Sequence, residues 1–209
     1  MGLFIWSLSG LVFGSFFNVL IDRLPRGQNV IWGHSRCDWC RRQLHWYELV
    51  PLLSFFIQGG RCRHCRHKLS WQYPLVEAVT ALGFAAVGYF YGYSPWLSIG
   101  YLLIFSSLLV IFFADFKYQI IPDVMVEVGI LGALLRLFSA FKFSVIVSNF
   151  VVTALAGSGF FLLLWLVTRG RGIGLGDAKL AFLLGLILGY PLFLIAGYAA
   201  FLTGAVVGV

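Results

Sequence analysis

Apolar residues fall along this chain in long blocks, separated by short polar punctuation and one extended polar region. The runs at 2–21, 74–91, 96–114, 124–141 and 143–167 have the length that a helix needs to cross a bilayer. A shorter run ends near Tyr190-Pro191, and a last one continues to Val209. The pattern predicts an all-α polytopic membrane protein of about seven transmembrane helices. Gly92-Tyr93-Ser94-Pro95 reads as the turn between the second and third. Gly10/Gly14, Gly185/Gly189 and Gly204/Gly208 repeat a small-xxx-small spacing that lets helices approach closely, so tight packing is expected at all three. Asn18 is polar within the first run and reads as an interhelical hydrogen bond.

The polar region, 22–73, divides the chain. It implies a first transmembrane helix at 1–21, a small module at 22–73, and a transmembrane core at 74–209. Nine of the fifteen Lys and Arg lie in this region, against three acidic residues. The +7 net charge therefore reads as positive-inside bias on a cytoplasmic loop that can meet anionic lipid, rather than as a nucleic-acid surface. The remaining composition agrees: 60% of residues are hydrophobic, 11% are charged, and the mean hydropathy is +0.91, outside the range of a soluble domain. Residues 1–20 lack a basic start and their charges follow the apolar run, which fits a span better than a cleaved signal.

Two acidic residues interrupt the apolar pattern in equivalent places. Asp115 ends the third span, and Asp177 follows the glycine-rich stretch Gly172-Ile173-Gly174-Leu175-Gly176. An Asp at a span's centre is charged about 2.5–3.5 kcal/mol on insertion scales, less near the ends, so such a residue is a functional candidate by default. If 22–73 is cytoplasmic, the third span descends to that side, and the next two go out and back. Both carboxylates then lie at one face, although they are 62 positions apart (177 − 115). Two carboxylates within hydrogen-bond reach share a proton. One can act as base on a water while the other polarises a peptide carbonyl, which is aspartic-protease chemistry without a metal. Gly172, Gly174 and Gly176 would let an extended peptide pass close to the backbone. Asp is also a favoured helix N-cap, and that reading suits Asp177 in part and Asp123, after Pro122, more fully. It does not suit Asp115, where the helix dipole disfavours a negative charge. Lys179 reads as snorkelling to head groups or contacting substrate.

Cys37-Asp38-Trp39-Cys40 and Cys62-Arg63-His64-Cys65 form two C-x-x-C pairs with 21 residues between them. Paired knuckles at this separation read as a closed, tetrahedral structural zinc site, with His64 and His67 as alternative ligands. Two disulfides are the competing reading, which a reducing cytoplasm disfavours. Gly59-Gly60-Arg61 would supply the tight turn before the second knuckle.

Taken in order, these residues resemble the type IV prepilin peptidases. The stretches that carry the resemblance are Gly14-Ser15-Phe16-Phe17-Asn18-Val19-Leu20-Ile21-Asp22-Arg23-Leu24-Pro25, the two C-x-x-C pairs with Gly60-Arg61, and Tyr73-Pro74-Leu75-Val76-Glu77. Asp115 through Ile121-Pro122-Asp123 and Gly174-Leu175-Gly176-Asp177-Ala178-Lys179 complete the set. The resemblance implies a GxGD-type membrane aspartyl protease with Asp115 and Asp177 as the catalytic pair. It implies cleavage of basic leaders from prepilins and pseudopilins at the cytoplasmic face of the bacterial inner membrane. It further implies N-methylation of the new N-terminal residue, usually Phe, from S-adenosylmethionine. The zinc loop of Cys37, Cys40, Cys62 and Cys65 then belongs to methylation or substrate recognition. Members of the family usually continue into a further apolar segment, so the chain is expected to be truncated at Val209. A transporter that uses the same two aspartates as a proton or cation path is the alternative, although transport favours acids nearer the midplane. A non-catalytic scaffold held by zinc is a third reading.

Overall fold

The computed structural model describes residues 2–30, 32, 35–37, 39–140, 145–171 and 174–207. The chain is all-α and largely apolar on its surface. Its helices are α1 (Gly2–Arg23), the short α2 (Leu53–Ile57), α3 (Gln72–Tyr91), α4 (Pro95–Tyr118), α5 (Asp123–Ala140), α6 (Val145–Thr168), α7 (Leu175–Leu188) and α8 (Leu192–Val207), with one 3₁₀ turn at Trp46–Leu49. Among the described residues, four helices are long and apolar enough to cross a membrane: Gly2–Arg23, Gln72–Tyr91, Pro95–Tyr118 and Ser148–Thr168. Helix α7, with 14 residues, is only ~21 Å long, short of a ~30 Å hydrocarbon core. Phe4, Leu82, Phe112, Leu163 and Phe201 are exposed, as lipid-facing side chains would be.

The chain separates into two compact units, Met1–Ser98 with Leu108–Gln119, and Ile99–Ser107 with Ile120–Val209. In the first, α1 packs along α3 through glycine. A Cβ at Gly10 would lie 2.7 Å from Ala81 Cα, and one at Gly14 would lie 2.7 Å from Glu77 Cα, so no side chain fits at either position. The reciprocal contact is Gly88 of α3 beneath the indole of Trp6. Around this seam Phe17, Ile21, Val76, Thr80 and Phe84 are buried, and the rings of Phe13 and Phe84 meet at 5.6 Å. Asn18 completes the seam as expected, donating to the carbonyl of Tyr73 at 3.1 Å.

In the second unit α7 packs on α6 and α5. Gly185 abuts Ala154 of α6, and Gly129 of α5 receives Leu183 of α7 and Ser107 of α4. Gly100 and Gly132 form a further backbone contact between α4 and α5. The Ser107 hydroxyl donates to the carbonyl of Met125 at 2.5 Å. One small-xxx-small expectation needs correction: a Cβ on Gly204 would meet nothing within 4 Å. Gly189 ends α7 at φ +64 and is itself seated on α6, where a Cβ would lie 2.9 Å from the ring of Phe150. Gly208 lies outside the described residues.

The two kinds of glycine should behave differently. Gly14→Ala is expected to lower stability in detergent by about 1–3 kcal/mol, the usual range for overpacking. Gly204→Ala should leave stability unchanged or slightly raised, since only helix propensity changes. Thermal unfolding of both variants, followed by circular dichroism, compares them directly.

Candidate active and metal sites

Each cysteine knuckle is built by the same local hydrogen bonds. The Cys37 N–H donates to Arg42 O at 3.0 Å and the Arg41 N–H to Cys37 O at 2.9 Å, with Arg41 left-handed at φ 54. In the second knuckle the Cys62 N–H donates to His67 O at 2.9 Å and the Arg66 N–H to Cys62 O at 3.0 Å, with Arg66 at φ 55. Antiparallel bridges flank both, Arg36 with Gln43 and Arg61 with Lys68. Gly59 and Gly60 are both left-handed and make the turn expected of them. Every equivalent position is offset by 25 residues, as Cys62 is from Cys37. The sequence carries the repeat openly, as Arg-Cys-x-x-Cys-Arg-x-x-Leu at 36–44 and 61–69, and reading only the cysteine spacing misses it.

The halves also face each other reciprocally. Trp39 stacks on His67, with centroids 4.5 Å apart and planes at 4°, while Arg42 meets the ring nitrogen of His64. Trp39 is equivalent to His64 and Arg42 to His67, so the two contacts are one contact made twice, as in a local two-fold. Asp38 lies outside the described residues.

Between the halves the Sγ atoms of Cys37, Cys40, Cys62 and Cys65 all lie within 4.8 Å of one another. Cys37 and Cys65 are 3.8 Å apart. Four thiolates at about 2.3 Å from a tetrahedral ion would be separated by about 3.8 Å, so the cluster has the size for such an ion. None of the four is in a disulfide. Burial pushes the Cys37 thiol up to about 11, whereas backbone N–H groups of Cys65 and His64 bring Cys62 down to about 7. His64 and His67 are occupied by Arg42 and Trp39 and stand outside the thiol cluster.

The module is tied to the helices beneath it. Glu77 is buried on α3, and its Oε2 accepts the Leu52 N–H at 2.7 Å, holding a residue at φ +58 just before α2.

Asp115 belongs to the first unit and Asp177 to the second. Asp115 is exposed in the last turn of α4. It does not end that helix, which runs one turn further, to Tyr118, until Gln119 turns left-handed and donates to Asp115 O at 2.8 Å. Asp22 holds this turn in place. Its Oδ1 accepts Lys117 Nζ at 2.5 Å and the Tyr118 hydroxyl at 2.9 Å, and its Oδ2 accepts the Tyr73 hydroxyl at 3.4 Å. Arg26 donates to the same Tyr118 oxygen at 3.1 Å. Sequence reasoning missed the role of Asp22. The signal was a charged residue retained at the end of the first span with a lysine two positions after Asp115.

Asp177 is exposed at the third position of α7 rather than at its cap, and its Oδ2 accepts the Gly174 N–H at 3.0 Å. An acid in the first turn complements the helix dipole while it satisfies an N–H that the helix leaves free. Gly176 lies against Ile121, 3.3 Å from where a Cβ would reach it. Gly172 and Ile173 lie outside the described residues. Lys179, two residues along, pairs with Asp123 at 2.7 Å. Asp123 occupies the first turn of α5, where it meets this lysine, and the position before the helix is taken by Pro122.

Asp22→Ala is expected to free the last turn of α4. Amide hydrogen exchange at 115–119 should rise several-fold, with exchange in α7 unchanged. Equal protection in variant and parent would mean that the clamp does not order this turn.

Two family profiles match along the chain. That of the bacterial peptidase A24 N-terminal domain matches residues 8–91, and that of the type IV leader peptidase family matches residues 102–209. The chain is 35% identical to the prepilin leader peptidase/N-methyltransferase of Bacillus subtilis over 203 residues, covering 95% of this chain and 79% of the relative. The protein of the same name from Klebsiella pneumoniae is 36% identical, covering 90% and 87%. That of Pseudomonas aeruginosa is 30% identical, covering 97% and 78%. No solved structure matches the chain. Similarity of this extent, over both matched segments in order, makes the chain a member of the bacterial type IV leader peptidase family of membrane enzymes.

Proposed function

We propose that this protein cuts the basic leader from type IV prepilins and pseudopilins at the cytoplasmic face of the inner membrane, and then N-methylates the new N-terminal residue, usually Phe. In this reading α1 and α3 to α8 are seven transmembrane helices. Residues 22–73 form a cytoplasmic module around structural zinc, and residues 74–209 form the protease core. The relatives named above carry both activities in their names, which supports the pair of reactions.

The observation that carries the proteolytic half is where the two acids sit. Asp115 is exposed in the last turn of α4 and Asp177 in the first turn of α7. In a seven-span chain α5 leads away from that face and α6 leads back, so both acids reach the same side of the membrane. Brought together there, they share one proton. The ionised partner takes a proton from water as the water's oxygen attacks the scissile carbonyl carbon. The protonated partner donates a hydrogen bond to the carbonyl oxygen as negative charge gathers on it. Collapse of the tetrahedral species breaks the C–N bond, and a proton passes from the pair to the leaving nitrogen.

The thiol cluster fits zinc in donor type, number and spacing, with all four positions filled by sulfur. It would leave the ion closed to substrate, so the metal's work is to hold the module folded. S-adenosylmethionine, when bound, supplies a methyl group: the new amine's lone pair forms the N–C bond, the C–S bond breaks, and the amine sheds a proton.

Two expected outcomes follow from this assignment. Asp115→Asn and Asp177→Asn should each lower cleavage of a prepilin substrate by about 10²–10⁴-fold while the protein still inserts into membranes. Full cleavage by either variant excludes the two-acid mechanism. Cys37→Ser should lower bound zinc, measured by elemental analysis, and weaken methylation more than cleavage. Unchanged zinc content contradicts the metal assignment.

A further inference from the structure

Within the first unit, the ends of α1 and α3 and the inner face of the cysteine module enclose a cavity of about 450 Å³. That lies within the range of ordinary small-molecule sites, roughly 300–1,000 Å³. None of its lining comes from the second unit, and neither Asp115 nor Asp177 reaches it. The proteolytic chemistry leaves it unused.

Its lining is chemically particular. Phe55 and Leu44 offer an apolar wall, and the buried ring of Phe55 is held from behind by Gly60 and Trp71. The charged groups balance: Asp22, Glu48 and Glu77 against Arg23, Arg26 and Arg36, three of each. One buried acceptor is left over. Asn18 is 5% exposed, its Nδ2 is committed to Tyr73 O at 3.1 Å and Gly14 O at 3.3 Å, and its Oδ1 has no partner among the described residues. A buried carbonyl oxygen of this kind calls for a donor that the protein itself does not supply.

These features select among ligands. A nucleoside polyphosphate would require a basic surplus, which the balanced lining does not have. A fatty chain would lay hydrocarbon against six charged side chains of the lining. A ligand with a flat base, N–H donors, a carboxylate and two positive centres meets every surface: the base for the apolar wall, the N–H for Asn18, the carboxylate for a guanidinium, and the cationic centres for the carboxylates. We propose that this cavity binds the methyl donor S-adenosylmethionine, with Asn18 Oδ1 accepting one of its N–H groups. The proposal rests on the methyltransferase half of the function given above. It also predicts a link between metal and methylation, because Cys37 and Cys62 form part of the cavity wall and the ion would set its shape.

The test is equilibrium dialysis of S-adenosylmethionine against the zinc-loaded, detergent-solubilised protein. Asn18→Leu removes the acceptor, and Ser54→Trp fills the cavity from α2. Each should weaken binding at least tenfold with zinc content per chain unchanged. If the parent binds and both zinc-loaded variants bind as tightly, the cavity is not the site, and the methyltransferase reading stands without it. If the parent neither binds the donor nor methylates a cleaved substrate, that reading fails and the proposal falls with it. Should a variant lose its zinc, ultraviolet cross-linking of methyl-labelled S-adenosylmethionine to the parent decides the matter. Adducts in the peptides covering 15–22 or 44–58 support the cavity, and adducts confined to 120–207 overturn it.

Discussion

The first unit depends on two helix backbones coming close enough that only glycine fits between them. Lipid solvates apolar side chains about as well as a protein interior does, so burial alone gives α1 and α3 little reason to associate. Close van der Waals contact does, and Gly10, Gly14 and Gly88 make it possible. The contact also fixes register. With Gly14 seated on Glu77, Asn18 one turn later reaches Tyr73, and Asp22 another turn later reaches the hydroxyl of Tyr73. Polar groups that would be penalised singly in a bilayer are thereby delivered to partners at the end of the helix pair.

Everything beyond the membrane segment of this unit is hung on that end. Glu77 holds Leu52 and so seats the cysteine module, whose two equivalent knuckles face each other around four thiols. Asp22 holds Lys117 and Tyr118, and so sets the turn that carries Asp115. A single helix pair thus supports both the module proposed to serve methylation and one of the two acids proposed to serve cleavage. In the second unit Gly185, Gly129 and Gly132 give α7 and α5 the same kind of close seating, and α7 presents Asp177 in its first turn.

Much of this could be read from the chain before any coordinates. Long apolar runs report helices directly, because lipid imposes a length and a composition on each. The cysteine spacing reported the thiol cluster, and the ordered motifs reported the family. What escaped reading depends on partners far away in sequence. Gly14 and Gly204 look alike on paper, yet one meets a helix backbone and the other meets nothing within 4 Å. Asp22 reads as one more charge in a basic loop until Lys117 and Tyr118, more than ninety positions on, are seen to converge on it. Asp177 reads as a cap but stands three residues inside its helix, because Gly174 takes the cap position and the carboxylate reaches back to it. The cavity is legible in no single stretch, since its walls come from α1, α2, α3 and both cysteine knuckles.

The proposed activities assign separate chemistry to separate places, a two-acid hydrolysis and a methyl transfer beside the thiol cluster. The proteolytic assignment is the central one, and it requires Asp115 and Asp177 to come within reach of one another. Thiol cross-linking of the Asp115→Cys/Asp177→Cys double variant tests this most directly, in membranes, with the four native thiols held by zinc. The account predicts rapid cross-linking by a reagent spanning about one hydrogen-bonded carboxylate pair, blocked by a bound leader peptide. Absence of any cross-link, with and without peptide, while each single cysteine still reacts with the reagent, would contradict it.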